Sequence, residues 1–151
     1  MSESQSIIAS LYLPVSEKKL LLPNVCVAEV VDYQEPTKLE DAPDYYLGMV
    51  KWRGIEVPVV SYEIANGAKS VRKSSNARIA VVNTTGEYNA KLPFFAIVTR
   101  GIPRLVKITE DSIKTTRKKK GPADAALLRV DGEDVVIPKV DYLESLAHKH
   151  I

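Results

Sequence analysis

The sequence predicts a mainly β protein, and three observations carry that expectation. Short apolar runs recur along the chain, roughly ten of them, each near the usual strand length of about 5 to 6 residues and each bounded by Gly, Pro, Asn or Asp. They fall in two equal groups on either side of NGAKSVRKSSN, residues 66–76, whose Gly, Ser and basic residues read as an exposed loop. Helical periodicity is scarce, with one convincing segment near the C-terminus. Two small barrels sharing an interface fit this pattern, and so does a single sandwich. At 151 residues and 45% hydrophobic content the chain can bury one core or two small fused ones. We read residues 1–151 as a single domain of two lobes, with the strands divided near 66–76.

The first strand is the apolar run 7–13, which stops at Pro14, and the second is 19–22. NVCVAEVVDY supplies a strand over 25–33, in which Cys26 reads as a small buried residue and not a reactive thiol. In GMVKWRGIEVPVVS, residues 48–61, the runs 48–52 and 55–61 flank Arg53-Gly54, so two strands meet at a tight turn to which Gly54 lends backbone freedom. Pro58 cannot donate to a ladder, which places its strand at a sheet edge or a bulge. A short helical turn over 62–65 precedes the helix-stopping Asn66-Gly67. Beyond the polar loop come runs at 77–83, 94–99, 102–108, 126–130 and 134–137. Val140, Leu143, Leu146 and Ala147 then recur at helical spacing after Pro138, predicting a short helix over 140–148 that packs along a barrel.

Catalytic chemistry finds little to work with. The two histidines, His148 and His150, stand in the last few residues, where chains commonly fray. Cys26 is alone, and neither histidine has a carboxylate or thiol at ligand spacing, so no metal and no cofactor is expected. The seven glycines never cluster into a phosphate loop. A histidine kinase needs a phosphoacceptor helix and a nucleotide-binding domain, and a chain this short has no room for both. Residues 1–6 are polar and carry Glu3 in place of a basic cluster, so the start does not read as a signal peptide. No run approaches the ~20 apolar residues of a spanning helix.

The charge is nearly balanced overall, 21 basic against 19 acidic residues, yet locally uneven. One basic loop holds Lys69, Arg72, Lys73 and Arg78, and another holds Lys114, Arg117, Lys118, Lys119 and Lys120. A barrel with basic loops is one way to bind nucleic acid, but that mode needs exposed aromatics beside the positive groove. Tyr33, Tyr45, Tyr46 and Trp52 instead fall among Glu35, Glu40, Asp41 and Asp44, away in sequence from both loops. Solvated loops account for the charge, and nucleic-acid binding stands as the alternative. Arg53, fixed at a turn after Trp52, suits recognition of a partner's carboxylate better than chemistry; a solvated hairpin arginine is the other reading.

Ala42-Pro43, Tyr45, Tyr46 and the segment 48–61 together resemble the signature of the CheW-like chemotaxis adaptor family, with Gly48, Arg53, Gly54, Pro58 and Val59 fitting its pattern. Lys51 stands where that family usually has Asn, Trp52 where it has Leu, and Ser61 where it has Asp. NVCVAEVVDY is similar to the family's Val-x-Glu-Ile strand, and FFAIVTRGIPRLVKI and LLRVDGEDVVIPKVDYL extend the likeness over most of the chain. The resemblance implies two intertwined five-stranded SH3-like barrels with a short C-terminal helix. It also implies a non-catalytic cytoplasmic adaptor, reaching the membrane only through chemoreceptor arrays. Its partners would be a chemoreceptor's cytoplasmic tip and the regulatory domain of a CheA-type histidine kinase. Val27 would then give a receptor apolar contact, while Glu29 and Arg53 would give charge complementarity. Arg100 stands where the family typically has an acid, and with Lys51 and Arg104 it adds positive charge that points to altered partner choice. Trp52 and LLLPN, residues 20–24, resemble the ChpC-like accessory branch of type IV pilus chemosensory systems, implying twitching motility.

Overall fold

The computed structural model describes residues 7–71, 74–84, 86 and 90–150; Arg72 and Lys73 of the first basic loop and the polar start over 1–6 lie outside them. The described elements run β1 (Ile7–Val15), β2 (Lys18–Pro23), β3 (Val27–Asp32), β4 (Tyr46–Trp52), β5 (Ile55–Val60), α1 (Tyr62–Ala65), β6 (Arg78–Asn83), β7 (Phe94–Thr99), β8 (Arg104–Thr109), β9 (Ile113–Thr115), β10 (Asp124–Val130), β11 (Glu133–Pro138) and α2 (Val140–His148). One sheet has six strands in the order β8-β1-β2-β11-β10-β9, the other five in the order β3-β6-β7-β5-β4. The mainly β class and the short C-terminal helix agree with the sequence. The count of five and five does not, because β9, a three-residue strand, joins the first sheet.

The strands also divide differently from the expected parting near 66–76. The five-stranded sheet takes the middle of the chain, β3 to β7, and the six-stranded sheet combines the first two strands with the last four. Residues 66–76 therefore lie between two strands of one sheet. Pro58 likewise sits on an interior strand, β5, between β7 and β4. Its missing N–H is tolerated because β5 meets β7 only from Val59 onward. Pro14 does not end β1 either. Its carbonyl accepts the Arg100 N–H (2.7 Å) from outside the β1–β2 ladder, so the proline ring nitrogen on that same side costs the ladder nothing.

Each sheet curls back on itself. β8 and β9, the two ends of the first order, are joined by a single 3₁₀ turn, Glu110–Ser112. In the second sheet the chain leaving β3 runs along β4, where Thr37 and Met49 exchange N–H···O bonds of 2.8 and 3.0 Å. A Cβ on Gly48 would collide with the Thr37 carbonyl oxygen, and its φ of +130° favours glycine again.

Strand alternation sorts the apolar residues into three clusters. In β6, Ile79 and Val81 point into the five-stranded sheet's own core, while Ala80 and Val82 point to a central cluster between the sheets. β1 and β2 do the same: Tyr12 and Leu21 fill the six-stranded sheet, and Leu13, Leu20 and Leu22 face the centre. Leu143, Leu146 and Ala147 of α2 close that central cluster. Strands buried on both faces read in sequence as unbroken apolar runs, which explains LLL, IAVV and FFAIV.

A buried polar network ties the two sheets together. Tyr62, on α1, donates its hydroxyl to Asp124 at the start of β10. Asp124 also accepts from the Asn66 amide (3.2 Å) and the Gly121 N–H (2.8 Å), while Asn66 Oδ1 accepts the Ala123 N–H (2.9 Å). Burial, and then the bond to Asp124, pushes the Tyr62 phenol far above its ordinary range, so it stays a donor. We expect Asp124→Ala to leave three donors unmatched and to cost on the order of 3 kcal/mol. The urea midpoint at unchanged slope measures it, and a loss below about 1 kcal/mol would show the network to be dispensable.

Candidate partner-binding surface

The β4–β5 hairpin turns through Arg53 and Gly54, with Trp52 opposite Ile55. Both turn residues lie in the left-handed region, at φ 49° and 80°, which is the geometry of a type I′ turn and matches the twist of the flanking strands. The β10–β11 hairpin makes the same turn with Asp131 and Gly132, at φ 49° and 83°. Asp-Gly is the ordinary chemistry for that geometry. Arg at the first position costs on the order of 1–2 kcal/mol, so its presence calls for a compensating contact or a use.

The contact comes from the far side of the same sheet. β3 and β4 are its two edge strands, and its curl brings Glu29 of β3 against the turn. Glu29 Oε1 accepts the Trp52 indole N–H (2.8 Å) and two Arg53 donors, Nε (3.2 Å) and Nη2 (3.1 Å). The guanidinium also stands 5.3 Å from the Trp52 ring centroid, and Phe94 of β7 meets that ring edge-on at 4.9 Å. Gln34 adds a bond from its amide to the Lys51 carbonyl (3.1 Å). Trp52 first and Arg53 second hold the Glu29 carboxyl below its ordinary value of 4.5. The clasp thus joins two sheet edges and fixes Arg53 while leaving its side chain 68% exposed.

The remaining candidates scatter around this clasp. Lys51 is exposed one residue before Trp52, and Val27 is half-buried on β3 with its side chain against the central cluster. Arg100 belongs elsewhere: its Nη1 donates to Ser16 Oγ (2.8 Å), and it lines a cleft of about 300 Å³ with Glu63 and Val98 that shares no residue with the clasp. Arg104 is on the other sheet, where Glu133 bridges it (3.1 Å) and Lys19 (2.7 Å), both cations lying over the Tyr12 ring. Sequence reasoning missed Phe94 and Gln34, which support the clasp. It also missed Val25, 83% exposed on the 3₁₀ turn beside β1, and Leu105, 60% exposed across from Leu11. Among the described residues no three His, Cys, Asp or Glu side chains gather to hold a metal ion, and no helix is long and apolar enough to cross a membrane.

The depressed Glu29 value fixes a sign. Above about 4.5 the carboxylate is ionised in folded and unfolded chains alike and the clasp contributes in full; as pH falls through the lowered value, that contribution is lost. We expect Glu29 to titrate below an ordinary glutamate by carboxyl NMR, and Trp52→Phe to move it back upward. An ordinary titration in the unsubstituted protein would mean that the clasp does not form in solution.

Comparison with known proteins gives two findings. Residues 10–147 match the model of the CheW-like domain. Among solved structures, the scaffolding protein TtCheW from Thermoanaerobacter tengcongensis superposes with a TM-score of 0.78 at 21% identity, covering 97% of this chain and 98% of its own. At that identity the superposition establishes a shared fold. No curated protein matches the sequence. Since the family pattern runs through nearly the whole chain, from β1 to α2, the protein belongs to the CheW-like domain family.

Proposed function

We propose that the protein is a non-catalytic adaptor that couples a chemoreceptor's cytoplasmic tip to the regulatory domain of a CheA-type histidine kinase. The observation that carries this reading is the Glu29–Trp52–Arg53 clasp: a guanidinium held in one orientation by internal contacts, yet exposed. An arginine fixed before the partner arrives loses less side-chain freedom on binding, and its planar fork suits a carboxylate. Val25 and Leu105 add exposed apolar surface near the strands that flank the central cluster, which suits the apolar face of a receptor helix. Glu29 supports the site by positioning Arg53, since its charge is largely spent inside the molecule. Lys51 presents an exposed cation beside the clasp and contributes to partner choice. Arg100 and Arg104, on separate surfaces, serve the kinase or a second partner.

Within the family, the Trp52 variant and the LLLPN segment favour a ChpC-like accessory adaptor of a type IV pilus system, acting beside a more typical one in control of twitching. Such a protein works in the cytoplasm and reaches the membrane only through receptor arrays.

Two substitutions separate binding from folding. Arg53→Asn places a favoured residue in the type I′ turn and removes only solvent-exposed contacts, the ion pair with Glu29 and the stacking on Trp52, so the fold should hold while receptor binding falls. Arg53→Glu reverses the presented charge and should cost about 2–5 kcal/mol of binding if the pair is buried on assembly. Calorimetric titration against the receptor tip, and against the regulatory domain of the kinase encoded nearest to it, at two salt concentrations, measures both. Saturable binding that both variants lose supports the adaptor reading; unaltered affinity for the receptor removes Arg53 from it, and no binding to either partner by folded protein removes the reading itself.

A further inference from the structure

We infer that β9 and the basic connector behind it accept an extended acidic segment of another protein as an added strand. β9 stands last in its sheet order and pairs with β10 alone. The phase of that pairing is set by two bonds at its ends: the Asp131 N–H donates to the Ser112 carbonyl (3.4 Å), and the Thr116 N–H donates to the Leu127 carbonyl (3.2 Å). Hydrogen-bonded pairs alternate in an antiparallel ladder, so the bonded pair between these two is Lys114 with Arg129. Ile113 and Thr115 therefore turn their N–H and C=O groups away from β10; the Ile113 N–H closes the 3₁₀ turn on the Glu110 carbonyl, which leaves the Ile113 carbonyl and both Thr115 groups for a further strand. Among the described residues no strand pairs with that side.

The side chains around this edge share one charge. An open recess of about 500 Å³ is lined by Lys114, Thr115, Thr116, Arg117, Lys118 and Arg129: four cations, two hydroxyls and no carboxylate. Asp134 offsets part of it from the neighbouring strand, bonding Lys118 (2.6 Å) and Arg129 (3.0 Å). Lys114 and Arg117 are exposed and enter none of the ion pairs among the described residues, and Lys119 and Lys120 continue the run. Lysine on a short edge strand keeps two copies of a protein from pairing edge to edge. The same charge admits a strand of opposite sign, so the device that blocks self-association selects an acidic partner.

Free main-chain groups favour a peptide over other polyanions. Outward N–H and C=O groups are matched by another backbone and by neither a phosphate chain nor a lipid headgroup. No aromatic side chain lines the recess to stack a base, and Ile113 packs inward against the barrel cluster, leaving no apolar anchor for a bilayer.

The test is fluorescence anisotropy of a labelled, extended peptide alternating Glu and Val, titrated with the full chain at physiological salt. Two variants separate charge from strand pairing. Lys114→Glu with Arg117→Glu reverses exposed charges, and Thr115→Pro removes an outward N–H without touching a bond to β10. We expect the first to weaken binding by roughly tenfold or more and the second by a comparable factor, with thermal unfolding little changed in either. Binding that Thr115→Pro leaves intact would overturn strand addition. Absence of binding at physiological salt would overturn the inference, as would equal affinity for an oligothymidylate or for phosphatidylglycerol vesicles.

Discussion

Neither sheet can bury its own apolar surface, and the rest of the fold follows from that. β1, β2, β6 and β7 are apolar on both faces, so each needs a core on one side and a second layer on the other. The central cluster is that second layer for both sheets at once. The route of the chain, out of the six-stranded sheet into the five-stranded one and back, supplies the arrangement without relying on a linker. Separating the sheets would expose Leu13, Leu20, Leu22, Phe95 and Ile97 together, at about 1.5–3 kcal/mol for each large side chain. α2 and the Tyr62–Asp124–Asn66 network seal two margins of the same interface, one apolar and one polar.

A core arranged this way leaves turns and sheet edges as the surfaces free to meet partners. Arg53 is carried by a two-residue turn whose strands are locked on one side by the β5 ladder and on the other by the Glu29 clasp. β9 is the opposite kind of edge, short and polar, with the Ile113 carbonyl and the Thr115 N–H and C=O turned away from its one partner strand. The first surface presents a charge in fixed geometry, and the second presents a ladder with a charged border. Both draw their rigidity from the doubly buried strands behind them.

The sequence made some of this legible and hid the rest for identifiable reasons. Local signals worked: two apolar runs around Arg53-Gly54 marked the hairpin, and Val140, Leu143 and Leu146 marked α2. β9 was invisible because Ile-Lys-Thr has no alternation to detect, and its pairing partner lies across an 8-residue connector that is mostly basic or small. The expected parting at 66–76 failed because a polar loop reports exposure, whereas sheet membership is decided by pairings such as β2 with β11 across the length of the chain. Arg53 was picked out by its place at the turn and Glu29 by family resemblance. Their contact, and the part of Trp52 and Phe94 in it, depends on the curl of the sheet, which no local pattern records.

The two type I′ turns set the clasp in its energetic context. Asp131-Gly132 and Arg53-Gly54 adopt the same backbone, so the difference between them lies in the side chain at a position that disfavours most residues. Asp is tolerated there because its short polar side chain can bond locally. Arg has no such recourse. Its contacts, an ion pair with Glu29 and stacking on Trp52, are both solvent-exposed and of the weak surface kind. The arrangement therefore adds little to stability and leaves an oriented, solvent-facing guanidinium as its product. A turn optimised for folding alone would carry Asn or Asp at position 53, which is why the arginine is better explained by what it meets outside the molecule than by what it touches within.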